Sequence, residues 1–133
     1  MSMIQTDLEK RIREVFAAFS SPEVEPLLAL LTDDYVWEVA GSGRVIHGKE
    51  EAAVAHRYVF ANMPDLKIEM ISYFSCGDRV SVEWVIKGTV KATGKAFSFP
   101  GASICEMKGD KIRRITDYFN PQPLQQAGYR PNG

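Results

Sequence analysis

The sequence predicts an α+β domain in which three helices on the N-terminal side pack on a curved, mainly antiparallel sheet. Apolar residues recur at helical spacing through the first part of the chain. From Lys67 onward, four β-rich runs are separated by short glycine-bearing turns. The length of 133 residues suits one domain burying roughly two-thirds of its unfolded surface, so residues 1–133 are read as a single unit without internal repeats.

Ile4, Leu8, Ile12, Val15, Phe16 and Phe19 recur three and four residues apart, which places them on one stripe of a first helix. Ser20-Ser21-Pro22-Glu23 offers an N-cap hydroxyl, a first-turn proline and a carboxylate for the next helix dipole. A short second helix is therefore expected through Val24, Leu27, Leu28, Leu30 and Leu31, ending at Thr32-Asp33-Asp34. Tyr35 to Val39 alternates as a strand entering the Gly41-Ser42-Gly43 turn, and the Lys/Glu/Ala-rich stretch after His47-Gly48 is a third helix to about Phe60. The β runs span about 67–75, 79–91, 95–107 and 111–119. Connections as short as those between them permit only antiparallel neighbours, and the helices must cover one face of the resulting meander.

Composition narrows the partners. Sixteen Lys and Arg against 17 Asp and Glu leave a net charge of −1, without the cationic excess by which nucleic-acid binders meet phosphates. At 45% hydrophobic and 25% charged residues, the chain is neither disordered, collagenous nor a disulfide scaffold. Cys76 and Cys105 have no paired Cys or His spacing, so no metal is expected. Met1 to Thr6 lacks the basic and apolar regions of a signal, and no apolar run approaches the ~20 residues of a membrane span. A cytoplasmic protein without nucleic-acid or membrane partners is expected.

Strand alternation points to one residue above the others. Val80, Val82, Trp84 and Ile86 share an inward face, and in the last strand Ile115, Asp117 and Phe119 share one face. A carboxylate on an apolar face must find partners, face a wet cavity or raise its pKa from ~3.9 towards neutrality, the range useful to a general acid or base. The alternative is an aspartate at the sheet rim paired with an arginine or a backbone amide.

The order of elements resembles the nuclear transport factor 2-like superfamily, and within it the SnoaL-like polyketide cyclases and limonene-epoxide-hydrolase-like proteins. The local matches are Leu31-Thr32-Asp33-Asp34, His47-Gly48-Lys49-Glu50, and the run from Phe99-Pro100-Gly101 through Gly109-Asp110-Lys111-Ile112 to Asp117-Tyr118-Phe119-Asn120-Pro121. Pro123 to Gly128 looks like the family's C-terminal segment. The resemblance implies a cone with a deep, mostly apolar pocket for a hydrophobic small molecule, generally no cofactor, and a homodimer. Here the outer sheet face carrying Ala102, Ile104 and Tyr118 offers the dimer contact.

It also implies Asp117 as the acid or base of a cyclase, isomerase or lyase acting on a small hydrophobic or polyketide-like carbonyl compound. Non-catalytic ligand binding or dimerisation is the alternative. Trp37, Val39, Trp84, Phe99 and Phe119 are the expected substrate walls, Ser103 a hydrogen-bonding group, and His56 either a second cavity group or a structural one. The arginine and second aspartate of the epoxide hydrolase branch are replaced at Trp84 and Ile86. The three acid–base positions of the ketosteroid isomerase branch read approximately Phe16, Val39 and Ala102. His47 is expected to cap the third helix, Cys105 to be a small buried group, and the phase change between Met70 and Tyr73 to mark a bulge.

Overall fold

The computed structural model describes residues 5–131. Helix α1 (Gln5–Phe19) is followed by α2 (Glu25–Leu28), strands β1 (Leu31–Val39) and β2 (Val45–His47), and helix α3 (Gly48–Asn62). Strands β3 (Lys67–Cys76), β4 (Arg79–Val90), β5 (Lys95–Lys108) and β6 (Lys111–Phe119) precede a short helix α4 (Gln122–Gln126). The α+β class is as expected, with four helices among the described residues in place of three. The apolar stripe of α1 is buried at Leu8, Ile12, Val15 and Phe16, while Ile4 lies outside the described residues.

The second helix is shorter than its leucines promised. It is a single turn opened by Pro26, without a side-chain cap, and Leu31 already begins β1. Ser21 instead accepts a hydrogen bond from the Glu23 amide within the preceding turn. Leu31 is fully buried and pairs with Ile112, so sheet pairing overrides the helical spacing of Leu27, Leu28 and Leu31. Thr32, Asp33 and Asp34 are accordingly strand residues.

All six strands form one sheet in the order β2-β1-β6-β5-β4-β3. The β3–β6 meander is antiparallel, but β6 also pairs in parallel with β1, Trp37 opposite Ile115 and Val39 opposite Asp117. The N-terminal strand thus joins the edge of the meander formed by the last strand, and the curved sheet stays unclosed. In β3 the register shifts between Met70 and Ser72. Ile71 is turned out to 61% exposure, so the expected bulge is present.

The inner face gathers Val80, Val82 and Trp84 from β4, Phe97, Phe99, Ser103 and Cys105 from β5, and Ile112 and Ile115 from β6, all buried. Helix α1 packs over β3, and α3 over β1 and β2. The outer face is polar and ion-paired in its middle, where Arg114 meets both Glu38 and Glu106. Tyr118 and Phe74 are exposed outside it. No helix among the described residues is long and apolar enough to cross a membrane.

Candidate functional site

Between the helices and the inner sheet face lies a cavity of about 800 Å³. Trp37, His56, Trp84, Phe99, Ser103, Asp117 and Phe119 all line it. Val39 is buried but is not among the lining residues. It sits opposite Asp117 in the strand pair, on the same face of β1 as Trp37.

Asp117 is fixed from two sides. Trp37 Nε1 donates to Oδ2 at 2.8 Å, and Ser103 Oγ donates to Oδ1 at 2.6 Å. Ser103 in turn accepts from Trp84 Nε1 at 2.8 Å, so a chain of donors runs Trp84 to Ser103 to Asp117. The strand register explains the convergence: Ser103 is directly opposite Asp117 on β5 and opposite Val82 on β4, with Trp84 two residues further along the same face. Among the described residues Asp117 makes no ion pair. Its neighbour Arg114 is engaged with Glu38 and Glu106 on the opposite face. Burial pushes the Asp117 carboxyl up to about 6, while the hydrogen bonds from Ser103 and Trp37 hold it from rising further.

The walls around this carboxylate are aromatic. Phe119 stacks on Phe99 with centroids 5.5 Å apart, and Trp84 meets both rings at 6.3 and 6.1 Å. A residue not singled out from sequence, Tyr35, belongs to the same lining and is only 2% exposed. Burial, together with the nearby Asp117 charge, raises the Tyr35 phenol well above its ordinary value, so it stays protonated. Period-two alternation with Trp37 was the available signal for it.

His56 is buried, and its ring nitrogen Nε2 donates to the Ser21 carbonyl at 2.7 Å while the ring lies against Phe60 with centroids 4.9 Å apart. Burial lowers its pKa, so the imidazole is neutral. His47 occupies the N-cap position of α3 without a side-chain hydrogen bond, contrary to the expected imidazole cap. The interaction runs the other way, the Glu51 carboxylate accepting from the His47 amide at 3.0 Å. Cys105 is fully buried, and burial pushes its thiol up, away from nucleophilic use.

Residues 12–115 match the family described as SnoaL-like domain. The chain belongs to this family. No curated protein matches it. Among solved structures, a candidate SnoaL-like polyketide cyclase from Jannaschia sp. CCS1 superposes with a TM-score of 0.84 at 15% identity, over 99% of this chain and 98% of that one. A candidate polyketide cyclase from Xanthomonas campestris pv. campestris gives 0.82 at 20% identity, covering 92% and 97%. An epoxide hydrolase of the limonene-epoxide-hydrolase-like type from M. tuberculosis gives 0.77 at 18%, covering 92% and 84%. At these identities the likeness is one of fold. In this SnoaL-like chain the family match ends at Ile115, two residues before Asp117.

Other lining residues that sequence reading missed include Ile46, Arg44, Leu124 and Tyr129. The first two lie in and just before a three-residue strand too short to show alternation, and the last two lie in and just beyond α4. Gly128, at φ +90°, turns the chain so that Tyr129 points back under Tyr58, ring centroids 6.2 Å apart.

Proposed function

We propose that the protein is a cofactor-independent enzyme, a cyclase, isomerase or lyase, acting on a small hydrophobic or polyketide-like carbonyl compound with Asp117 as acid and base. The observation that supports this most is the position of Asp117, a carboxylate with a pKa of about 6 on the wall of an apolar cavity, held by two donors and, among the described residues, free of any ion pair. A group of that pKa is mostly ionised at neutral pH yet basic enough to take a proton from carbon adjacent to a carbonyl.

In the cyclising case, Asp117 takes the proton, the resulting enolate carbon attacks a second carbonyl carbon of the same substrate, and the proton returns to the new alkoxide oxygen. The aromatic walls fold the substrate so that the two carbons meet, and this proximity supplies much of the acceleration. Trp37 and Ser103 keep the carboxylate in one orientation through both transfers. Tyr35, protonated in the same wall, donates to the carbonyl oxygen where negative charge develops.

A second reading, binding without catalysis, is favoured by one observation: His56 spends its ring N–H on the Ser21 carbonyl, leaving Asp117 without an imidazole partner. The test is turnover of a cyclisable β-polyketone by wild type and by Asp117→Asn. Loss of turnover with retained binding supports the enzyme; equal turnover rejects Asp117. The outer face with Tyr118 is proposed as a homodimer contact, to be checked by sedimentation over a range of concentrations.

A further inference from the structure

The charged groups at the rim of the cavity are not equivalent. Lys49 lies 3.6 Å from Asp33, and Glu51 is taken by the His47 amide. Glu50 is exposed to solvent on the first turn of α3. Arg44 differs from all three. It is half-buried, it lines the cavity, and its guanidinium carbon lies 5.4 Å from the centroid of the Trp37 ring. Among the described residues it makes no ion pair.

A guanidinium stacked on an indole keeps its N–H edge available, since the ring occupies only its face. That edge is a planar fork suited to a carboxylate, and partial desolvation strengthens the contact. Trp37 is therefore shared: its N–H fixes Asp117, and its π face carries Arg44. From the geometry we infer that the ligand of this cavity bears a carboxylate, received by Arg44 at the rim, with its apolar body running inward along Trp37 towards Asp117. This rests on the reading of the cavity as a ligand site and narrows the substrate class from small hydrophobic or polyketide-like carbonyl compounds to carboxylic acids that carry a carbonyl.

Two isosteric probes separate the questions. Binding of 2-naphthoate and of 2-naphthamide is measured by quenching of tryptophan fluorescence at pH 7.5, in wild type, Arg44→Met and Arg44→Lys. The expected result is about tenfold or tighter binding of the naphthoate by wild type, a preference abolished in Arg44→Met and reduced in Arg44→Lys, with naphthamide binding unchanged in all three. Retained naphthamide binding also shows that the variants are folded. Equal affinity for the two probes in wild type, or a preference that survives Arg44→Met, overturns the role of Arg44 and leaves the cavity reading standing. Binding of neither probe to wild type overturns both.

Discussion

The indole N–H of Trp37 donates to Asp117 Oδ2 at 2.8 Å, tying the first long strand to the last across 80 positions of sequence. Because this bond favours the charged carboxylate, its removal raises the pKa of the carboxyl. Trp37→Phe is expected to keep the aromatic wall, raise the Asp117 pKa above about 6 and cost about 1–3 kcal/mol of stability. Carbon-13 NMR titration of the carboxyl reads the first effect, and urea unfolding the second.

The raised pKa of Asp117 has a stability signature. An acid that binds its proton more tightly when folded contributes stability below its unfolded pKa, and that contribution is lost as pH rises through the folded value, here from about 4 to about 6. Asp117→Asn is therefore expected to be more stable than wild type by about 1–3 kcal/mol at pH 7.5, the advantage vanishing near pH 4. Turnover falls at least about 100-fold in the same variant. Chemical denaturation at both pH values checks the sign, and a variant less stable than wild type at pH 7.5 contradicts it.

Ser103 is 2% exposed and serves two partners at once. Ser103→Ala strands the Trp84 indole N–H and removes one donor from Asp117, at a cost of about 1–3 kcal/mol. The acidic limb of any pH–rate profile then moves to higher pH. A profile unchanged from wild type shows that Asp117 does not govern the rate.

Gly101 is packed under Trp84: a Cβ placed there would lie 2.6 Å from Cζ3 and 2.8 Å from Cζ2 of the ring. Gly101→Ala is expected to displace the indole from Ser103 and to destabilise by about 1–3 kcal/mol, visible as a shifted tryptophan emission and a lowered Tm.

His56 titrates in the opposite sense to Asp117. Its folded pKa is lowered, so the stability it contributes is present above its unfolded value of about 6.5 and is lost as pH falls. Nitrogen-15 NMR is expected to show a neutral ring with the proton on Nε2 at pH 7. A doubly protonated ring there excludes the buried hydrogen bond to Ser21 as its resting state.

Period-two alternation in β4, β5 and β6 made the inner face legible, because each strand has one apolar side and long runs average out exceptions. It placed Asp117, Ser103 and Trp84 on that face before any contact was known. What alternation does not carry is pairing between distant strands. The parallel β1–β6 contact and the Trp37–Asp117 bond depend on which edge the first strand chooses. The helical spacing around Leu28 misled for the same reason, since Leu31 answers to Ile112 in the sheet. Arg44 stayed hidden because a charged residue after a glycine turn reads as solvated surface. Its stacking on Trp37 is visible only once β2 folds back on β1.

The parallel contact between the first and last strands also bears on how the protein is made. A chain growing from its N-terminus carries Trp37, Tyr35 and Arg44 early, but Ser103 and Asp117 arrive only after β3 and β4 have been made. Until β6 inserts between β1 and β5, the β1–β2 hairpin and the remaining strands share no ladder. A chain that stops short of β6 therefore lacks Asp117 and the ladder that brings Trp37 to it, so the cavity wall is assembled only after all the other strands have been made.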